Sequence, residues 1–227
     1  MGDRPYVDVL NFMVLMDLNS IEHSLAVGEL KVYSKRTSIS FNYYEKLISW
    51  AEHGLRHMKR RCEKEAWCNE RFKLLEQGMG IFGNALVLCS FYTKGLRVIP
   101  EPVVQYTELD CPIKVGTTYD VGILIEEDVR FILLVEVKLY KKSRESIPSF
   151  PNVEYIYEDI PKPLTILSRC GAIPLGVLLE ANPLPKKAKV PPYVIRVNKI
   201  MGRSARKNIY KAIMKWLINK QVIKAKD

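Results

Sequence analysis

The sequence predicts an α/β protein built on a central mixed β-sheet flanked by helices, and three observations carry that prediction. Two apolar runs, Thr117–Ile125 and Phe131–Leu139, are separated by the polar tip Glu126, Glu127 and Asp128, which is the pattern of an antiparallel hairpin. Downstream, Pro161–Cys170 reads as a helix with proline in its first turn and Gly171 as its stop, and Ile173–Leu179 follows as a short buried strand. Strand, helix, strand in that order implies a parallel crossover, so a sheet holding this hairpin is mixed. Upstream, residues 41–94 carry apolar side chains at three- and four-residue spacing, the signature of helices packed against a sheet.

In chain order, Val7–Leu18 reads as a buried strand or a short helix, and Glu29–Phe41 alternates as a strand does. Phe41–Gln77 is helical, with Tyr44, Leu47, Ile48, Leu55 and Met58 on one face and Gly54 as a break. His53 and His57 stand one helical turn apart, but the intervening Gly-Leu-Arg lacks the glutamate of the zinc-protease pattern, and the solvated basic face continued by Lys59, Arg60 and Arg61 is the better account. Leu74–Lys94 is the core-facing helix. Its glycines, Gly78, Gly80 and Gly83, suit close packing on a sheet and do not form a phosphate loop, since no Gly-Lys-Ser/Thr follows. Gly95–Tyr106 is a strand demoted to an edge or a bulge by Pro100 and Pro102. After Lys142, residues 143–161 read as an irregular stretch long enough to contact a substrate. Residues 182–192 form a proline- and lysine-rich linker, Tyr193–Ile200 an edge strand, and Arg203–Lys220 an amphipathic basic helix.

The chemistry concentrates in the hairpin. A period of two puts Phe131, Leu133, Val135, Val137 and Leu139 on one face and Ile132, Leu134, Glu136 and Lys138 on the other. A tip centred on Asp128 sets Asp120 opposite Glu136, with Cβ atoms roughly 4.5–5.5 Å apart. Two carboxylates at that distance raise each other's pKa unless a cation sits between them. A hard divalent ion with oxygen ligands, Mg²⁺ or Mn²⁺, resolves the conflict, and Lys138 stands ready to hold a water or a phosphate oxygen. The plainer alternative is a strand-end ion pair between Glu136 and Lys138, with Asp120 at a solvated edge.

An Asp, a hairpin, then Glu-x-Lys at a strand end resembles the PD-(D/E)XK nuclease superfamily, whose core is restriction-endonuclease-like. The resemblance is strong at the hairpin and looser over Glu70–Ala181, through the order helix, three strands, helix, strand; Tyr119 stands where the name-giving proline would be. It implies that Asp120, Glu136 and Val137 hold the metal, that Lys138 assists the attacking water, and that Glu76, or alternatively Glu70, joins them from the preceding helix. It also implies cleavage leaving 5′-phosphate and 3′-hydroxyl ends. The Gln-x-x-x-Tyr of RecB-like members is absent from the helix after Lys138, so the chain is more similar to archaeal Holliday-junction resolvases and restriction-like enzymes.

The chain of 227 residues is expected to form a single domain: an extension and helix over 1–69, a nuclease core over 70–182, and a basic segment over 183–227. The net charge is +10, yet residues 183–227 hold thirteen Lys or Arg against Asp227 alone, so the basicity belongs to that segment. Such asymmetry favours a polyanionic partner. Lys141, Lys142 and Arg144 beside the carboxylates, and Lys207, Lys211 and Lys215 on the last helix, are the residues expected to meet nucleic acid. Five cysteines without Cys-x-x-Cys spacing argue against a zinc ribbon or a dense disulfide framework; a reducing cytoplasm is the expectation, with one disulfide admissible in a hyperthermophile's intracellular protein. The N-terminal apolar run is too short to span a bilayer and lacks a secretory cleavage pattern. The expected function is metal-dependent hydrolysis of DNA phosphodiesters, structure-specific for branched DNA or otherwise, by a homodimer without a small-molecule cofactor. The alternatives are a non-catalytic nucleic-acid-binding protein that keeps the fold, or a structural dimer whose basic tail faces solvent.

Overall fold

The computed structural model describes residues 22, 24–36, 40–61, 68–106, 110–140, 147–180, 184, 188–202 and 204–225, with side chains omitted at 50, 54–61 and 68–79. In chain order the elements are β1 (Ser24–Val27), β2 (Leu30–Ser34), α1 (Phe41–Arg61), α2 (Cys68–Tyr92), β3 (Val98–Pro100), β4 (Pro102–Tyr106), β5 (Val121–Glu126), β6 (Arg130–Tyr140), α3 (Pro151–Asp159), α4 (Pro163–Cys170), β7 (Ala172–Glu180), β8 (Val194–Val197) and α5 (Ala205–Asn219). Five strands form a central mixed sheet in the order β3-β5-β6-β7-β8, and β1-β2-β4 form a second, antiparallel sheet. The first two pairings of the central sheet are antiparallel and the last two parallel. This is the mixed sheet expected of a restriction-endonuclease-like core, with the hairpin and the crossover where the sequence puts them.

Alternation along β6 decides which layer each side chain joins. Phe131, Leu133, Val135 and Val137 pack with the inner faces of α1, α2 and α5, whereas Ile132, Leu134 and Tyr140 pack with α3, α4 and the smaller sheet. Every residue of β7 is buried, since neighbours on both sides and layers on both faces exclude water from it. At the end of α2 the hydroxyl of Ser90, and that of Thr93 just beyond it, donate to the carbonyls of Leu86 and Cys89, four residues back, so neither is left without a hydrogen bond.

Three expectations are corrected. The proline-flanked run Gly95–Tyr106 is two strands: β3 pairs with β5, while β4 pairs with β2. Between them Glu101 adopts φ 45°, and Pro100 and Pro102, which lack N–H groups, cannot continue one ladder through the turn. Strand β5 starts at Val121 and not at Thr117, because Thr118 bridges to Val103 and the Tyr119 N–H donates to Pro102. The stretch 143–161 is not wholly irregular: α3 starts with Pro151 in its first turn and buries Val153, Ile156 and Tyr157, an i, i+3, i+4 stripe.

Cys111 and Cys170 form a disulfide, the one recorded among the described residues, tying the segment before β5 to the end of α4. The spacing of the cysteines excluded a dense framework but could not pick this pair. None of the described helices is long and apolar enough to cross a membrane. The candidate strand or short helix at Val7–Leu18 lies outside the described residues.

Candidate active site

The hairpin register runs from Glu126↔Arg130 to Val121↔Val135, centred on Asp128 as expected. Asp120 lies one residue beyond the last pair, and its N–H donates to the carbonyl of Val135 at 2.9 Å. Its carboxylate turns toward β6: Oδ2 accepts the N–H of Val137 at 2.7 Å, and Oδ1 accepts the side-chain amide of Asn84 at 3.0 Å. Because a strand residue sends its N–H and C=O toward the same neighbour, the Val137 carbonyl also faces the Asp120 side of β6.

Glu136 is 3% exposed on the opposite face of β6 from Val137. Its Oε1 lies 2.9 Å from the Lys138 ammonium, and its Oε2 accepts the N–H of Asn152 at 3.2 Å. Asn152 is in the first turn of α3, where unpaired N–H groups and the helix dipole both favour an anion. Its side-chain amide donates to the Thr118 carbonyl, and its own carbonyl accepts the Tyr119 hydroxyl, so the turn before β5 and the start of α3 are fastened to each other.

Two glycines allow these approaches. A Cβ on Gly83 would stand 3.2 Å from Val137 and 3.3 Å from Leu179, so α2 rests directly on β6 and β7 and brings Asn84 to Asp120. A Cβ on Gly176, which pairs with Glu136, would meet the Phe150 ring at 2.8 Å; its absence lets the start of α3 settle beside Glu136.

Burial pushes the Asp120 carboxyl above its usual range, while the Val137 N–H, the Asn84 amide and Lys138 pull the other way. Burial likewise raises Glu136 against the bond and charge of Lys138, and the charge of Asp120 adds to the rise. Arg36 and Glu101 pair nearby, and the N–H of Glu101 donates to the Asp120 carbonyl, so Asp120 has a further acid close to it.

Asp120, Glu136, Val137 and Lys138 are therefore brought together, and both expected readings of Lys138 meet here: it is ion-paired with Glu136, yet Asp120 is not at a solvated edge. The side chain of Glu76 lies outside the described residues, as do Lys141, Lys142 and Arg144, the side chains of Lys59 to Arg61, and that of His57. Among the described side chains of α2, Asn84 reaches Asp120. Among the described residues no three of His, Cys, Asp and Glu cluster as a metal site. Lys207, Lys211 and Lys215 are exposed along one side of α5, as four-residue spacing requires, whereas Arg206 pairs with Glu45 of α1. Sequence reasoning missed Asn84 and Asn152. An amide directly after Gly83, in the apolar second half of the helix, was a usable signal for Asn84; Asn152 was hidden because its segment read as a loop.

No family model and no curated protein matches the chain. Among solved structures, it is similar to a type III CRISPR defence DNA nuclease activated by cyclic oligoadenylate, at 13% identity and a TM-score of 0.38 over 83% of this chain. The chain spans 28% of that protein's length.

Proposed function

We propose that the chain is a nuclease that hydrolyses DNA phosphodiesters with Mg²⁺ or Mn²⁺ held by Asp120, Glu136 and Val137. The observation that carries this reading is the meeting of a buried carboxylate, Glu136, with Asp120 and Lys138 at the end of a hairpin. The donor set fits a hard cation: every candidate ligand is an oxygen, and each carboxylate oxygen that accepts one hydrogen bond keeps a second lone pair. Carboxyls raised by burial gain most from a nearby positive charge. Bound there, the ion would polarise a phosphoryl oxygen and lower the pKa of its water.

The residues of the chain divide the remaining work. Asn84 and the Val137 N–H fix the rotamer of Asp120, and the start of α3 fixes Glu136 through Asn152. Lys138, a third exposed, orients the attacking water or balances charge on the phosphate. Lys207, Lys211 and Lys215, without ion pairs among the described residues, hold the DNA backbone. A duplex cut on both strands calls for two sites, which a symmetric pair of chains supplies.

The test is incubation with supercoiled, linear and branched DNA, with and without Mg²⁺. Cleavage that depends on the ion supports the reading, and the preferred form of DNA identifies the substrate. One observation favours a second reading, a nucleic-acid-binding protein without catalysis: Lys138 at 2.9 Å already neutralises Glu136. DNA binding without cleavage in either ion would establish it.

A further inference from the structure

The register of the central sheet places a second cation in the same row as Lys138. Lys138 pairs with Leu178, and Leu178 pairs with Arg196, so Lys138 and Arg196 occupy one row of the sheet on the same face. Two strand spacings separate them by about 10 Å. Both stand toward the carboxyl ends of the parallel strands, where open α/β sheets receive their ligands.

Arg196 lines a cleft of about 310 Å³ between β8 and α5, together with Lys211, Asn198, Asn208 and Glu180. Glu180 is 8% exposed, and both its oxygens are engaged: Oε1 accepts Arg196 Nε at 2.8 Å, and Oε2 accepts the N–H of Leu184 at 3.2 Å. Glu180 thus fixes Arg196 through Nε. The terminal nitrogens of the guanidinium have no other partner among the described residues, and the side chain is 44% exposed. Lys211 lines the same cleft from α5, exposed and without an ion pair among the described residues. A guanidinium held from behind, an ammonium and the amide of Asn198 in one concave site suit a phosphate group, while the Asn208 amide donates to the Lys199 carbonyl.

We infer that this cleft binds one backbone phosphate of the substrate strand, held jointly by Arg196 and Lys211, on a path leading from Lys138 toward the basic side of α5. The inference rests on the nuclease reading. It makes Arg196 a substrate-binding residue and gives Lys211 a role distinct from that of Lys207 and Lys215.

The test is anisotropy of a labelled DNA duplex against the full-length protein in EDTA, across a salt titration. Lys211→Gln and Arg196→Gln should each weaken binding several-fold, with the slope of log K against log salt reduced by at most about 0.9, while Lys46→Gln on α1 leaves both unchanged. Because one phosphate is shared, the double variant should lose no more than about 0.9 in total. A double-variant loss near 1.8 overturns the shared phosphate, since each cation would then meet its own. Arg196→Gln strips Glu180 of its partner and is read only if it folds; otherwise Arg196→Lys, which keeps a charge beside Glu180 but loses the guanidinium fork, replaces it and should also weaken binding. If Lys211→Gln binds as the wild type does, the cleft is not on the DNA path, although the nuclease reading stands. If the wild type neither binds nor cuts DNA, both fail. Millimolar inorganic phosphate that raises the melting temperature of the wild type and not of Lys211→Gln, while Lys211→Gln binds DNA as the wild type does, would assign the cleft to free phosphate and overturn the strand.

Discussion

The side-chain amide of Asn84 donates to Oδ1 of Asp120 at 3.0 Å, joining the middle of α2 to the residue that opens the hairpin. Gly83 makes this contact feasible by letting the helix backbone lie against Val137 and Leu179. Asn84 touches neither metal nor substrate in the proposed mechanism; it is a positioning residue. Asn84→Ala should lower Mn²⁺ affinity or cleavage by about 10–100-fold while the circular dichroism spectrum stays unchanged. A cleavage rate and a calorimetric Mn²⁺ titration equal to the wild type's would remove Asn84 from the site.

Metal binding and turnover should separate at Lys138. Asp120→Ala should abolish Mn²⁺ binding and cleavage together, since it removes a ligand and no core packing. Lys138→Ala should keep Mn²⁺ binding and lose turnover, and without metal it should lose about 1–3 kcal/mol of stability because the buried Glu136 loses the cation on its Oε1. Calorimetry and single-turnover cleavage distinguish the two, and normal cleavage by Lys138→Ala would leave the ion pair as purely structural.

Stability should depend on pH in a direction fixed by the raised carboxyls. Asp120 and Glu136 hold protons more tightly in the folded protein than in the unfolded chain. Their favourable contribution is therefore present below the ordinary carboxylate range and is lost as pH rises through the folded-state values. Asp120→Asn lacks this loss at one of the two sites, and Asn84 can turn its amide to face the new one. In EDTA the melting temperature of Asp120→Asn should exceed that of the wild type at neutral pH, and the gap should close in acid. Mn²⁺ should reverse the order at neutral pH by stabilising only the wild type. A wild type that gains stability relative to Asp120→Asn as pH rises in EDTA would contradict the burial argument.

Reduction should loosen the fold without touching the carboxylates. The Cys111–Cys170 bond closes a loop of 59 residues, for which chain entropy suggests about 4 kcal/mol. Cys111→Ser/Cys170→Ser, or the wild type in excess reductant, should unfold at lower denaturant concentration than the oxidised protein. Denaturation curves that coincide would show that the bond contributes nothing to stability.

Much of the site was legible because the backbone imposes its periods locally. Alternation in Phe131–Leu139 assigns every side chain to a face, and the polar tip Glu126–Asp128 centres the turn, so a pairing about Asp128 was expected from the hairpin itself. That sufficed to bring Asp120, Glu136 and Lys138 together. The crossover into β7 and the basic helix α5 were legible for the same reason, since proline, glycine and the 3.6-residue stripe mark them within short windows.

What only the tertiary structure decided lies between elements distant in sequence. Asn84 reaches Asp120, Asn152 reaches Glu136, Cys111 meets Cys170, and Arg196 falls in the row of Lys138 across Leu178. Glu101 marks the switch from one sheet to the other, where the prolines had announced only an interruption. Each of these depends on how layers stack and how parallel strands align, and those choices are set by the summed packing of the whole core. A window of sequence records the period of one element, not the identity of the neighbour on which that element comes to rest.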